Sequence, residues 1–206
     1  ERCIYSKGKE IRCIKITSVA GEEPEETAPS PNVSSSPNSE ELIPAASGTG
    51  FAVSEAGHVV TNNHVVEGCG DVKIHHQGNV VRATVVSRDK TNDLALIKGD
   101  FEPMNIFAVH EKNPELMQEI YVAGYPFGSK VSATVKVTRG IVSALSGIGN
   151  NFSNIQIDAA IQPGNSGGPI FNKSGAVVAV AAHKLDFKFA LEKMGTLPEN
   201  VNFGVK

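Results

Sequence analysis

Three residue types that cooperate in acyl transfer occur in this chain in settings that suit the work. Ser166 lies within Gln162-Pro163-Gly164-Asn165-Ser166-Gly167-Gly168-Pro169. A serine hydroxyl is a weak nucleophile until a base reaches it and nearby amides can bind an oxyanion. Glycines on both sides open backbone conformations closed to other residues, so the amides of Gly164 and Ser166 can point into one small space. His64 stands in Asn62-Asn63-His64-Val65-Val66, just past the apolar run Val59-Val60-Thr61. An imidazole at a strand end projects into a cleft, and an unperturbed pKa near ~6.5 suits a general base. Asp93 directly precedes Leu94-Ala95-Leu96-Ile97, where a carboxylate either caps a turn or orients a buried histidine. Each has a plainer reading alone: a glycine-rich turn, a surface histidine, a cap. Together they form a nucleophile, its base and the base's orienter.

The other titratable groups suggest less. His58, His75, His76, His110 and His183 read as ordinary surface or loop histidines. The adjacent pair His75-His76 invites a metal, but neighbouring strand residues face opposite sides, so no metal site is expected. Cys69, between Gly68 and Gly70, reads as an unpaired small residue without metal-ligand spacing. Cys3 and Cys13 flank Ser6-Lys7-Gly8-Lys9. A disulfide across that turn is geometrically possible and would suit an oxidising compartment; two reduced thiols is the alternative.

Elements must carry these residues to one place. The 206 residues, 40% hydrophobic and 20% charged with net charge −3, suit one large globular domain or two small ones. The acidic balance argues against a nucleic-acid binder, and no apolar run is long enough to span a membrane. Residues 2–5 and 11–18 read as a short hairpin, placing an N-terminal unit or tail at 1–20. Residues 21–46 read as an acidic linker rich in proline and serine, with Glu22, Glu23, Glu25, Glu26, Glu40 and Glu41. From residue 47 onward, short β-rich runs recur at 50–53, 58–61, 72–75, 80–87, 94–98, 120–123, 131–138, 140–144, 155–157, 169–171, 176–182 and 201–205. Even spacing with Gly, Asn and Asp between runs argues for an all-β sandwich or barrel. Helical turns are admissible only at 115–119 and 188–193. The polar, proline-interrupted stretch 99–119 splits the strands into two groups, so two small barrels with a cleft between them is the expected architecture. Histidine and aspartate come from the first group and serine from the second.

The order His, Asp, Ser is that of the chymotrypsin-type proteases. The chain resembles the HtrA/Deg serine proteases within that fold. The resemblance rests on Ser47-Gly48-Thr49-Gly50-Phe51, Val60-Thr61-Asn62-Asn63-His64-Val65-Val66, Asn92-Asp93-Leu94-Ala95-Leu96 and Gly124-Tyr125-Pro126-Phe127-Gly128. It continues through Thr138-Arg139-Gly140-Ile141-Val142-Ser143-Ala144, the segment from Ile157 to Ile170, and Val201-Asn202-Phe203-Gly204-Val205.

The resemblance implies an all-β protein of two antiparallel six-stranded trypsin-like barrels, barrel 1 at about 47–100 and barrel 2 at about 120–206. It implies endopeptidase activity on polypeptides without metal or cofactor, in quality control or regulatory proteolysis, and a periplasmic or secreted location. Position by position, His64 is the general base, Asp93 its orienter and Ser166 the nucleophile. The segment Gly164, Asn165 and Ser166 forms the oxyanion hole. The pocket for the residue before the scissile bond is lined by Ala160 and Ile161 on one side and Val180, Ala181 and Ala182 on the other. No acidic residue stands at its floor, so small or medium aliphatic residues are expected rather than Lys or Arg. A Glu-specific pocket would need a histidine where Ala181 stands. A peptide-binding homologue with a resting oxyanion hole is the alternative function. The acidic N-terminal region lacks the aromatic-rich segment through which relatives trimerise, which leaves a homo-oligomer open.

Overall fold

The computed structural model describes residues 9–16, 42–76, 78–126, 134–184 and 200–206, with backbone only for 9–16, 42–45 and 183–184. Its twelve strands close into two antiparallel barrels. The first is built from β1 (Lys9–Ile16), β2 (Leu42–Ala52), β3 (His58–Thr61), β4 (Asp71–His76), β5 (Asn79–Asp89) and β6 (Leu94–Gly99), in the order β1-β2-β3-β6-β5-β4. The second is built from β7 (Glu119–Gly124), β8 (Lys136–Ala144), β9 (Asn154–Ile157), β10 (Pro169–Phe171), β11 (Val177–Lys184) and β12 (Asn202–Val205), in the order β10-β11-β12-β9-β8-β7. The two-barrel architecture expected from strand spacing is therefore present.

The N-terminal boundary is not where the composition placed it. Strand β1 pairs with β2 from Lys9↔Gly50 to Ile16↔Leu42 and with β4 from Glu10↔His75 to Ile14↔Asp71. Lys9–Ile16 is thus a stave of barrel 1, and β2 begins at Leu42. The assignment of 9–16 to a unit apart from the barrel and of 42–46 to a linker is corrected accordingly. The physical reason is closure: without β1 the edges of β2 and β4 would expose unpaired backbone groups. Residues 2–5 of the expected hairpin and 21–41 of the expected linker lie outside the described residues.

Period-two burial builds each barrel's interior. Strands β3, β6, β7 and β9 begin with an alternation of half-buried and buried positions. Barrel 1 encloses Val59, Val65, Val66, Ile74 and Ile97. Barrel 2 encloses Ile120, Val122, Val142, Ile155, Ile157 and Ile170. Each fully buried isoleucine contributes about 1.5–3 kcal/mol. Strand β8 runs unbroken through Gly140, where two runs were expected. Gly140 pairs with Ile120, and a Cβ there would collide with Asp158 and the backbone of Ala159. The glycine therefore serves a close approach inside a strand rather than a turn.

The connector 100–118 ties the barrels together. Phe107 N–H donates to Ala52 O at 2.9 Å, His110 N–H to Val177 O at 2.8 Å, and Val177 N–H to Ala108 O at 2.8 Å. Phe107 packs edge-on against Phe51 and stacks on Phe171, which stacks on Tyr121. Phe51, Val177 and Val180 form a third apolar cluster with Val60, Leu94 and Phe107 at this seam. The expected helical turn at 115–119 is instead a tight turn at Leu116–Met117, with Met117 at φ 67°. The one expected at 188–193 lies outside the described residues.

Candidate active site

His64 is carried by a single helical turn, α1 (Asn63–Val66), that starts directly after β3. Val65 and Val66 are buried in the barrel 1 core, so the turn is anchored by its apolar residues while His64 faces out. Asp93 sits one residue before β6 at φ 55°, a left-handed conformation that Asp tolerates better than most residues. Its carbonyl accepts Asn62 Nδ2–H at 2.8 Å and Asn63 N–H at 3.1 Å. Its carboxylate accepts His64 N–H through Oδ1 at 2.8 Å and faces His64 Nδ1 through Oδ2 at 2.7 Å. An ionised carboxylate can only accept, which places the proton on Nδ1 and leaves Nε2 as the basic nitrogen. The rival role for Asp93, capping the turn, is taken by Asp89. Its carboxylate accepts Thr91 N–H and Asn92 N–H at 3.0 Å each, and Asn92 Nδ2–H at 2.7 Å. The side-chain bond from Asn92 is the main reason the Asp89 pKa is lowered.

Ser166 lies in an irregular loop between β9 and β10. Gly164 and Gly167 have φ of 101° and 84°, the left-handed region that favours glycine. Asn165 N–H donates to Gln162 O, and Gly168 N–H to Asn165 O, both at 2.9 Å. Gly167 N–H donates to Ala181 O at 2.7 Å, joining the loop to β11. Among the described residues, the N–H groups of Gly164 and Ser166 donate to no protein acceptor. Those are the two amides that the motif nominates for the oxyanion hole. The Ser166 hydroxyl donates to Ala182 O at 2.9 Å; it makes no bond to His64.

The residues expected to line the pocket lie on different faces. Ile161 and Ala181 belong to the barrel 2 core. Ala160 is exposed, and its carbonyl accepts the Thr138 hydroxyl at 2.8 Å. Ala182 is buried and holds the serine hydroxyl. Val180 packs into the seam with Phe51 and Val177, whereas its neighbours Ala179 and Ala181 belong to the barrel 2 core. Asn62, which steadies the Asp93 carbonyl, and Thr49, which touches the serine loop, carry no signal in residue type that marks them out. Cys69 is disulfide-bonded, which corrects its reading as unpaired. The expected Cys3–Cys13 bridge falls on side chains that lie outside the described residues. Among the described residues no three His, Cys, Asp or Glu side chains are grouped to share a metal. No helix there is long and apolar enough to cross a membrane.

The family model for the trypsin-like peptidase domain matches residues 48–180. The chain belongs to that family. Its relatives include an uncharacterized protein of Sinorhizobium fredii, 36% identical over 200 residues, which are 97% of this chain and 31% of the relative. They also include the serine protease Do-like HtrA of Lactobacillus helveticus, 38% identical over 157 residues, 72% of this chain and 37% of the relative. A probable periplasmic serine endoprotease, DegP-like, of Chlamydia trachomatis is 40% identical over 145 residues, 66% of this chain and 28% of the relative. The chain therefore resembles the HtrA/DegP group within the trypsin-like fold, and it spans about a third of the length of these relatives. The crystal structure of the serine endoprotease from Yersinia pestis shares the fold, with TM-score 0.66 and 22% identity, covering 97% of this chain and 58% of that one.

Proposed function

We propose that this chain is a serine endopeptidase in which Ser166 is the nucleophile, His64 the general base and acid, and Asp93 the orienter. The observation that carries the reading is the doubly bonded Asp93 carboxylate on His64, set beside a glycine loop with two unengaged amides. In the reaction, the Ser166 hydroxyl leaves Ala182 O, gives its proton to His64 Nε2 and adds through Oγ to the scissile carbonyl. The carbonyl oxygen becomes an oxyanion, bound by the amides of Gly164 and Ser166. The imidazolium, stabilised by Asp93, protonates the leaving amine as the C–N bond breaks. A water then repeats the sequence on the acyl-enzyme and frees Ser166. None of the residues nominated for the pocket, Ala160, Ile161, Val180, Ala181 and Ala182, is acidic, which favours cleavage after small or medium aliphatic residues over cleavage after Lys or Arg. Relatives named as periplasmic endoproteases and the disulfide at Cys69 support a location outside the reducing cytoplasm.

The test is labelling of folded protein with a fluorophosphonate, together with cleavage of a library of fluorogenic peptides. Ser166→Ala is expected to lose all labelling and roughly 10⁶-fold in turnover. Persistent cleavage by that variant would sink the assignment. The position of the serine hydroxyl on Ala182 O favours a second reading, a resting peptide-binding module whose nucleophile is turned from its base. Wild-type protein that binds unfolded chains yet never acylates is the outcome that reading requires.

A further inference from the structure

The serine loop leans on a residue of the opposite barrel. Thr49, in β2, is fully buried. Its hydroxyl donates to Gly164 O at 2.6 Å and accepts Tyr125 N–H, at the end of β7, at 3.0 Å. Its own N–H donates to Ser166 O at 2.8 Å, and its carbonyl accepts the Thr61 hydroxyl at 2.8 Å. Thr61 ends β3, from which the chain turns into α1 and His64. One threonine thus meets the serine loop twice, the strand that leads to the base once, and the end of β7 once.

The loop's peptide planes show what those contacts do. The Gly164–Asn165 plane is fixed at both ends, by Thr49 Oγ1 on Gly164 O and by Gln162 O on Asn165 N–H. The Asn165–Ser166 plane is fixed through Gly168 N–H on Asn165 O, and that plane carries the Ser166 amide. The Ser166–Gly167 plane is fixed by Thr49 N–H on Ser166 O and by Ala181 O on Gly167 N–H. Among the described residues, neither Pro163 O nor Gly164 N–H has a hydrogen-bond partner. The Pro163–Gly164 plane, which carries the other oxyanion donor, is therefore the unpinned member of the series. Its orientation depends on the plane that follows it, and a flip would swing the Gly164 amide out of the site. Free rotation at Gly164, which has no side chain to resist it, makes the anchor on Gly164 O the nearest restraint.

We propose that Thr49 is a positioning residue for the oxyanion hole: its hydroxyl, reaching across from barrel 1, locks Gly164 O and thereby holds the Gly164 amide toward the reacting carbonyl. The inference rests on the protease reading above. Thr49 touches no reacting atom. It acts through Gly164, and its effect belongs to the transition state, where the oxyanion exists, rather than to substrate binding.

The experiment measures kcat and KM separately on a fluorogenic peptide that wild type cleaves, with affinity for the matching peptide aldehyde. The aldehyde carbon accepts Ser166 Oγ, and its oxygen then occupies the oxyanion hole. Thr49→Val keeps the shape and removes the hydroxyl. Expected are a roughly 10- to 100-fold fall in kcat, KM unchanged within about twofold, and aldehyde affinity falling in step with kcat/KM. Thr49→Ser restores the hydroxyl and should recover most of the lost turnover. A merely structural role predicts instead a lower unfolding midpoint with kcat per acylatable site intact, so active sites are counted by fluorophosphonate titration. Folded Thr49→Val with wild-type kcat, or a loss carried by KM, or an equal loss in Thr49→Ser, overturns the proposal. If Thr49→Val does not fold, Thr49→Ala removes the same hydroxyl with less bulk; a similar fall in kcat at constant KM is expected, and unchanged kcat overturns the proposal. Folded wild type that the fluorophosphonate never labels overturns the protease reading itself, an outcome distinct from labelled enzyme indifferent to Thr49.

Discussion

The two halves of the candidate site are held by opposite means. On the barrel 1 side, His64 rides on a helical turn nailed down by buried Val65 and Val66, and a side chain, Asp93, fixes its orientation with two hydrogen bonds. On the barrel 2 side, Ser166 sits in a loop with no regular structure, and the restraints fall on its backbone, from Thr49, Ala181 and the loop itself. The difference follows from the tasks proposed for them. A base needs one side chain aimed at one proton, and burial plus a charge-assisted bond can do that. An oxyanion hole needs backbone N–H groups left without protein partners, which a folded chain otherwise avoids. A loop that must leave two amides open is stabilised by satisfying most of the groups around them.

The largest expected effect breaks the histidine half. Asp93→Asn replaces an acceptor by an amide whose nitrogen can donate, so the imidazole is held in the wrong tautomer with Nε2 protonated. The proposed mechanism then loses its base while the fold is spared. A drop of roughly 10⁴-fold in kcat is expected, with little change in KM. Activity within about tenfold of wild type would remove Asp93 from the machinery and leave it as a turn residue.

The serine half is broken through packing. A Cβ at Gly167 would overlap Thr61 Oγ1 and Thr49 O, and the residue's φ is 84°. Gly175 has nearly the same φ, 82°, with open space around it. Gly175→Ala therefore bears only backbone strain, about 1 kcal/mol, whereas Gly167→Ala adds a clash with backbone and should cost about 2–4 kcal/mol or more. Urea unfolding of the two variants measures the difference. Equal losses would mean that the inter-barrel seam at the serine loop yields easily, and the contrast between the two halves would fail.

What could be read from the sequence divides along a similar line. Alternating apolar positions in β3, β4, β6, β7 and β9 are local signals, and the strands stand where the pattern puts them. The types, settings and order of His64, Asp93 and Ser166 nominate them together; the structure joins the first two directly, while the Ser166 hydroxyl donates to Ala182 O. The place of Lys9–Ile16 in barrel 1 was not, because β1 pairs with β4 across more than fifty residues and nothing within β1 names its partner. The bridge at Cys69 was missed for the same reason: spacing alone does not pair cysteines. Thr49 reads in sequence as an ordinary strand residue, since its hydroxyl's partners Gly164 and Tyr125 are 115 and 76 positions away. The turn of the serine hydroxyl toward Ala182 is a rotamer, which no residue pattern encodes.

The smallest expected effect tests whether barrel 2 is stabilised independently of its loop. On its wall, Glu119 accepts Tyr121 O–H at 2.7 Å and pairs with Arg139 at 2.7 Å and Lys173 at 2.6 Å. The hydrogen bond from Lys173, then that from Tyr121, lowers its pKa from 4.5 to about 2. Lys173 is raised in turn, chiefly by the same bond to Glu119. A depressed carboxylate pKa means that the unfolded chain takes up the proton first. The stability Glu119 contributes is then fully present above about pH 5 and is lost as pH falls from about 4.5 toward 2. Both cationic side chains are largely exposed, so the effect is small and salt-sensitive. Glu119→Gln should lower the urea midpoint slightly at pH 7, and the gap from wild type should close as pH falls through that window. It should leave kcat and KM untouched, because the partners of Glu119 are Tyr121, Arg139 and Lys173 and none of them belongs to the serine loop or the histidine turn. A gap that persists at pH 2, or a change in kcat, would mean that Glu119 acts through packing or communicates with the site. The wall of barrel 2 and its loop could then no longer be treated as separately stabilised.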